Sequence, residues 1–394
     1  MNRAEGKTLL KFLLPSMVGI GLFLVPITID GKQTIAIGLL SDLLRQWTAV
    51  WLPYLLAIIF LVSGIVSGYA TLFRPSWIMG RPLLKHLFFT NFVWLSLRVT
   101  GAVMCSLTVF GVGPEWIIGE STGAVAYIEM ASIIFCIMLV ANFLLPFLTD
   151  YGFLEFVGTL LTRPFQMLFN LPGRAGLDAL TSWVGDSSVG TILTVRQYEE
   201  GFYSAREAAV VVTNFSAVSL PFSVVIGQMA RIDHVFFPFY FSVVFASIVA
   251  AFITPRLPPL SRVSTNFFER ADRKAEASNE QDFIIRQAWS RALARAEHGP
   301  SAKSIVSGGS RTILDIYITV LPAAMTIEFL ALVIYSYSNF FYWLSLPMLP
   351  LVQLLQIPEP AAVVSGTLVG FFDQFIPAIM SGTLESPVSR FVLA

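Results

Sequence analysis

Apolar residues along this chain come in runs of about 20, the length a helix needs to cross a hydrocarbon core of about 30 Å at 1.5 Å per residue. Seven such runs predict spanning helices: Leu9–Ile29, Trp51–Tyr69, Leu87–Val112, Tyr127–Leu148, Glu207–Met229, Val235–Thr254 and Ile313–Tyr335. Three apolar stretches carry internal Pro, Arg or Asp: Thr34–Trp47, Phe153–Leu171 and Phe340–Gln356. These read as helices lying along the interface or bending into a bundle. Two further segments, Leu177–Leu193 and Ala361–Leu384, are broken by Gly185, Gly190, Gly366, Gly370 and Pro377. They read as re-entrant helical hairpins that dip in and return to the same side. Irregular backbone survives at membrane depth only where protein buries it or a wet cavity faces it.

The order of elements repeats. From Tyr127 the chain runs span, interfacial stretch, hairpin, then a helix starting near Ser204-Ala205-Arg206; from Ile313 the same order recurs. Pro172 and Pro358 enter the hairpins, Gly185-Asp186 and Gly370…Asp373 sit near their middles, and Arg206 and Arg390 follow. The fold expected is an all-α polytopic membrane protein with inverted repeats, each containing one hairpin. Residues 1–126 form N-terminal transmembrane helices, 127–254 the first repeat, 255–311 a loop, and 312–394 a second, apparently incomplete repeat.

Composition agrees. Of 394 residues 55% are hydrophobic and 13% charged, against about 25% charged in soluble domains. The formal net charge is zero, so nothing points to a nucleic-acid partner. Cys105 and Cys136 lie inside apolar runs and give no disulfide framework, and three dispersed histidines give no metal-ligand spacing. No cofactor is expected.

Local charge sets orientation. Phe73–His86 carries Arg74, Arg81 and Lys85, and Pro255–Arg311 carries ten Lys/Arg against six Asp/Glu, whereas Gly113–Ala126 has no basic residue. With the N-terminus inside, both basic loops fall inside; the expected location is the inner membrane of a bacterium, multi-pass, with the N-terminus and 255–311 cytoplasmic. Asp282–Glu297 in that loop has helical spacing of Ile284, Ile285, Ala288 and Leu293 and stops at Gly299-Pro300. It reads as a solvated linker helix, or as an Arg-rich face for anionic lipid.

Acidic residues at membrane depth cost roughly 2.5–3.5 kcal/mol each on insertion scales. Asp186 and Asp373 therefore read as facing a polar site near the midplane, with Ser187, Ser188, Asn214, Ser216 and Gln374 around it. Asp186 and the intramembrane acid Glu328 are the expected ion-coupling residues, for Na+ or H+. Arg98, an intramembrane cation, reads either as functional or as the structural partner of an acid such as Glu129. Gly185-Asp186-Ser187-Ser188 is not a nucleophile elbow: Val189 stands where a glycine would be needed, and no base is in reach.

The run from Gly176 to Gln228, GLDALTSWVGDSSVGTILTVRQYEEGFYSAREAAVVVTNFSAVSLPFSVVIGQ, resembles the Gate domain shared by concentrative nucleoside transporters, FeoB iron transporters and spore-maturation membrane proteins. Nearly the whole chain is similar to the YjiH-type bacterial membrane proteins. In the nucleoside transporters a Gln-Thr-Glu follows the hairpin glycine and contacts the substrate; here Gly185 is followed by Asp186-Ser187-Ser188. Thr213-Asn214-Phe215-Ser216 and Ser219-Leu220-Pro221 match the family's small polar helix after the hairpin. The resemblance implies nucleoside recognition.

Two functions are expected. One is a non-enzymatic transporter of a small polar solute, working by alternating access between the two hairpins. The other is a non-transporting membrane subunit paired with a second Gate protein; a homo-oligomer is also foreseen. The chain ends at Ala394, six residues into the place of the second repeat's exit helix, about 9 Å of rise. Either a truncated chain or a helix supplied by a partner is expected.

Overall fold

A computed structural model describes residues 3–29, 32–185, 187–216, 219–268, 284–370 and 374–394. Helix α1 (Arg3–Phe23) leads into a two-stranded hairpin, β1 (Pro26–Ile29) and β2 (Lys32–Ile35). Then come α2 (Ala36–Thr48), α3 (Leu52–Phe73), α4 (Pro82–Phe88), α5 (Phe92–Val109) and α6 (Ala131–Leu144), the last entered through a π-helical turn at Ala124–Met130. Next are α7 (Phe153–Phe169), α8 (Ala175–Leu180), α9 (Ser187–Glu199), α10 (Ala205–Phe215), α11 (Leu220–Met229), α12 (Phe236–Ile253) and α13 (Ile284–Glu297). The chain continues through α14 (Ala302–Asp315), α15 (Leu321–Tyr337), α16 (Phe340–Ser345), α17 (Leu349–Leu354), α18 (Pro360–Val369), α19 (Phe375–Thr383) and α20 (Pro387–Leu393).

Among the described residues, seven helical stretches are long and apolar enough to cross a membrane: Gly6–Phe23, Leu52–Phe73, Phe92–Val109, Ala124–Thr149, Ala205–Met229, Asp233–Arg256 and Ala302–Tyr337. Each overlaps one predicted span. Large apolar side chains such as Met17, Ile65, Phe92 and Phe241 are exposed on them, while Ser63, Ser67, Arg98 and Glu328 are buried. That distribution suits a hydrocarbon solvent and not water. The protein is an all-α polytopic membrane protein.

Four readings need correction. The first span ends at Phe23, because Pro26–Ile29 pairs antiparallel with Lys32–Ile35. The stretch expected as Thr34–Trp47 accordingly starts as strand. The span expected as Glu207–Met229 starts at Ala205 and is described as two helices, α10 ending at Phe215 with non-helical Ser216 after it and α11 starting at Leu220. The last span begins at Ala302, with a π-helical turn at Ile316–Val320 before α15.

The fourth concerns the loop helix. Its described part, α13, is not a solvated linker: Ala288, Ala292 and Ala296 are fully buried. They make an i, i+4 ridge that packs with Phe12 of α1 and with α7. Trp289 meets the rings of Phe12 and Phe156 edge-on. Gly152, at φ 107°, passes so close to the Ala292 backbone that a side chain there has no room. Arg295 closes the contact on Asp150 at 2.8 Å and Glu155 at 3.2 Å. Burial pushes the Glu155 carboxyl above its ordinary range, and Arg295 opposes that shift.

The chain folds into two compact units that interleave in sequence. One comprises Met1–Ile37, Phe143–Val224 and Val235–Ile305; the other comprises Gly38–Asn142, Val225–His234 and Val306–Ala394. In the second, α3 packs along α5 where Gly64 meets Ala102 and the Arg98 backbone. Thr326 of α15 bonds the Leu97 carbonyl at 2.9 Å and fills the space left by Gly101. Arg98 does not pair with Glu129, which is exposed: it donates to Ser67 Oγ at 3.0 Å and the Leu87 carbonyl at 2.8 Å, and the acid whose charge acts on it is Asp315.

Candidate functional site

Two helical hairpins stand where glycine and proline interrupted the apolar pattern. In the first, α8 and a π-helical turn at Thr181–Gly185 form one arm and α9 the other. The arms pack antiparallel: position 178 faces 194 and 197, and position 182 faces 190. The arms are closest at Gly190, where a Cβ would displace Ser182 Oγ and crowd the Asp178 carbonyl oxygen at 3.1 Å.

Asp178 is the polar centre of this hairpin. It is completely buried. Its Oδ2 accepts from Thr194 Oγ1 at 2.9 Å and from the Tyr203 hydroxyl at 2.9 Å, and its Oδ1 accepts from Gln197 Nε2 at 2.6 Å. The carboxylate thus ties the first arm to the second and to the chain that leaves it. Burial pushes the Asp178 carboxyl up to about 6, opposed by the bonds from Thr194 and Tyr203, the Arg174 charge and the bond from Gln197. The Arg174 guanidinium lies over the Phe202 ring, 3.4 Å from its centroid.

Beyond the hairpin a capping box starts α10: Ser204 Oγ accepts from the Glu207 amide, and the Glu207 carboxylate accepts from the Ser204 amide. Helix α10 ends where the broken span passes the hairpin. There Ser216 Oγ lies 3.5 Å from Ser182 Oγ and 3.3 Å from Thr191 Oγ1, so three hydroxyls from three elements meet. Trp183 packs on Phe215, its carbonyl accepts from the Tyr240 hydroxyl at 2.9 Å, and its buried Nε1 has no acceptor among the described residues. Near the start of α10 a cavity of about 650 Å³ is lined by Asn170, Ser204, Arg206, Glu207, Phe252 and Pro255, among others.

The expected site residues fall as follows. Asp186 and Asp373 lie outside the described residues. Ser187 opens α9 and is half-buried, and Ser188 follows it in the helix. Asn214 is buried; its Oδ1 accepts from Thr254 Oγ1 at 2.6 Å, and its Nδ2 donates to the Val210 carbonyl at 3.0 Å. Ser216 joins the hydroxyl cluster. Gln374, exposed at the start of α19, belongs to the other unit. So does Glu328, fully buried on α15. Asp178, Thr194, Gln197 and Tyr203 were not read from the sequence. Their signal was an acid in an apolar arm facing a hydroxyl and an amide spaced i, i+3.

The second hairpin, α18 and α19, folds back so that Gly370 meets the Pro377 ring. Its ends are fixed by backbone bonds. Glu359 accepts from the amides of Ser386 and Glu385, which hold its carboxyl below the usual range. Arg390 donates to the Leu384 carbonyl at 2.6 Å, as Arg206 donates to that of Pro255 at 2.8 Å. Among the described residues no group of three or more His, Cys, Asp or Glu could hold a metal ion.

These features define a helical membrane protein organised around paired hairpins, and comparisons with known proteins agree. A family model described as Gate, nucleoside recognition, matches residues 131–232, which contain the first hairpin and the broken span. The chain is 39% identical over 386 residues to the uncharacterised protein BpOF4_10220 of Alkalihalophilus pseudofirmus strain OF4, covering 98% of this chain and 83% of that relative. No solved structure matches. The chain belongs to the YjiH-type membrane proteins of the Gate family, a transporter-type family.

Proposed function

We propose that the protein is a non-enzymatic permease for a small polar solute of nucleoside-like chemistry. The observation that carries this reading is the cluster of Ser182, Thr191 and Ser216 hydroxyls where the broken span passes the first hairpin. Interrupted helices free backbone groups for a ligand, and secondary transporters bind their substrates at such breaks. The buried Trp183 Nε1, with no acceptor among the described residues, adds a donor that a ligand can meet. Ser187, Ser188 and Asn214 supply further hydroxyl and amide groups, and Asp186 the charge.

In this reading the hairpins are re-entrant gates, one opening to each side, with Asp186 and Glu328 coupling solute to a cation and Asp373 and Gln374 serving the second gate. The N-terminus and the 255–311 loop are cytoplasmic, and the cavity beside Arg206 and Glu207 is the inner vestibule. The first test is a thermal-stability screen of the purified protein against nucleosides, amino acids and small peptides. A solute that raises the melting temperature of the wild type but not of Ser216→Ala supports the site. Stabilisation that is unchanged in Ser216→Ala and Asp186→Asn places solute binding elsewhere.

A further inference from the structure

The Asp178 network can hold its carboxyl in two protonation states with no movement of heavy atoms. With the group ionised, Thr194 Oγ1, Tyr203 OH and Gln197 Nε2 all donate to it. Thr194 Oγ1 also lies 3.0 Å from the Gly190 carbonyl oxygen. A hydroxyl has one proton and can turn. When Asp178 is neutral, its own O–H on Oδ2 donates to Thr194 Oγ1, which swings its proton to Gly190. Gln197 offers a second adjustment. Its Oε1 is buried beside the carboxyl with no partner among the described residues, and an amide flip would turn it into an acceptor for an O–H on Oδ1.

We propose that Asp178 is a reversible proton-binding site in the first hairpin, which makes H+ the coupling ion. An O–H bond forms on the carboxyl with a proton taken from water, and the buried charge goes from −1 to zero. Every group around the site fits that exchange. Helix α9 presents Thr194 and Gln197, the segment after it presents Tyr203, and Arg174 supplies the charge acting on the site. Helices α7 and α10 face α8 with Phe165, Val210, Val211 and Phe215. Those apolar walls make ionisation costly enough to be reversed at mildly acidic pH. The coupling role rests on the transport reading above, whereas proton binding does not.

Infrared titration of the full chain in lipid vesicles, with no solute present, tests it. We expect a carboxylic-acid C=O band that appears as the pH falls through about 6. It is lost in Asp178→Asn and kept in Glu155→Gln. Tyr203→Phe removes a donor to the ionised form, so its midpoint rises by about one pH unit. That variant keeps the test decisive if Asp178→Asn fails to fold. A band that persists in Asp178→Asn, a midpoint unmoved in a folded Tyr203→Phe, or a band displaced by Na+ but not K+ overturns the proposal. Titration without any solute uptake leaves the proton site standing and removes the permease; uptake without the titrating band does the reverse.

Discussion

A methyl group on position 190 would overlap Ser182 Oγ and stand 3.1 Å from the Asp178 carbonyl oxygen. Gly190→Ala therefore forces the arms of the first hairpin apart, or drives Ser182 off its contact with Ser216. We expect a loss of about 1–3 kcal/mol, seen as a lower melting temperature in detergent. Adding Ser182→Gly should restore most of it. A Gly190→Ala protein as stable as wild type would show that the arms are not packed this closely. Asp178 makes a second prediction at this scale. Its folded pKa of about 6 lies above the unfolded value near 3.8, so the native state binds more protons between those pH values. Its stabilising effect is complete below that window and fades as pH rises through 6, on the order of 3 kcal/mol in all. Asp178→Asn should flatten that part of the stability–pH curve, whatever its absolute stability.

The elements were legible wherever apolar runs stood alone. All seven spans could be read, because about 20 uninterrupted apolar residues have few other uses. Glycines 185, 190, 366 and 370 announced helical hairpins, which the fold contains; their re-entry into the bilayer belongs to the proposal. The end of α10 at Ser216 was hidden because both sides are apolar. The docking of α13 was hidden for a different reason. Its buried ridge is alanine, which a hydrophobic pattern barely registers, while its conspicuous Ile285 is exposed. The Asp178 network was hidden because it needs the hairpin's register. Packing outweighs charge in the α13 contact. Ala292→Leu should cost about 1–3 kcal/mol, whereas Arg295→Ala, whose pairs are partly exposed, should cost less than about 1 kcal/mol. Thermal melts that reverse this order would show that the ion pairs hold α13.

At the scale of the whole molecule, basic residues set the predicted orientation, with the N-terminus and the 255–311 loop inside and Gly113–Ala126 outside. Single-cysteine labelling in a background without Cys105 and Cys136 checks it, and a loop labelled from outside reverses that orientation. The two compact units draw on distant parts of the chain, and the Gate match lies across both. The first hairpin lies in one unit and the second in the other; that they act as a pair of gates is the central claim of the proposed function. The most direct measurement of that central claim is solute uptake by proteoliposomes containing the purified protein. The solute is the one that stabilises it best. Wild type should accumulate it, faster with an inward proton gradient, and Asp186→Asn should be inactive while expressing and melting normally. Equal uptake by Asp186→Asn, or none by well-folded wild type with any stabilising solute, would contradict the account.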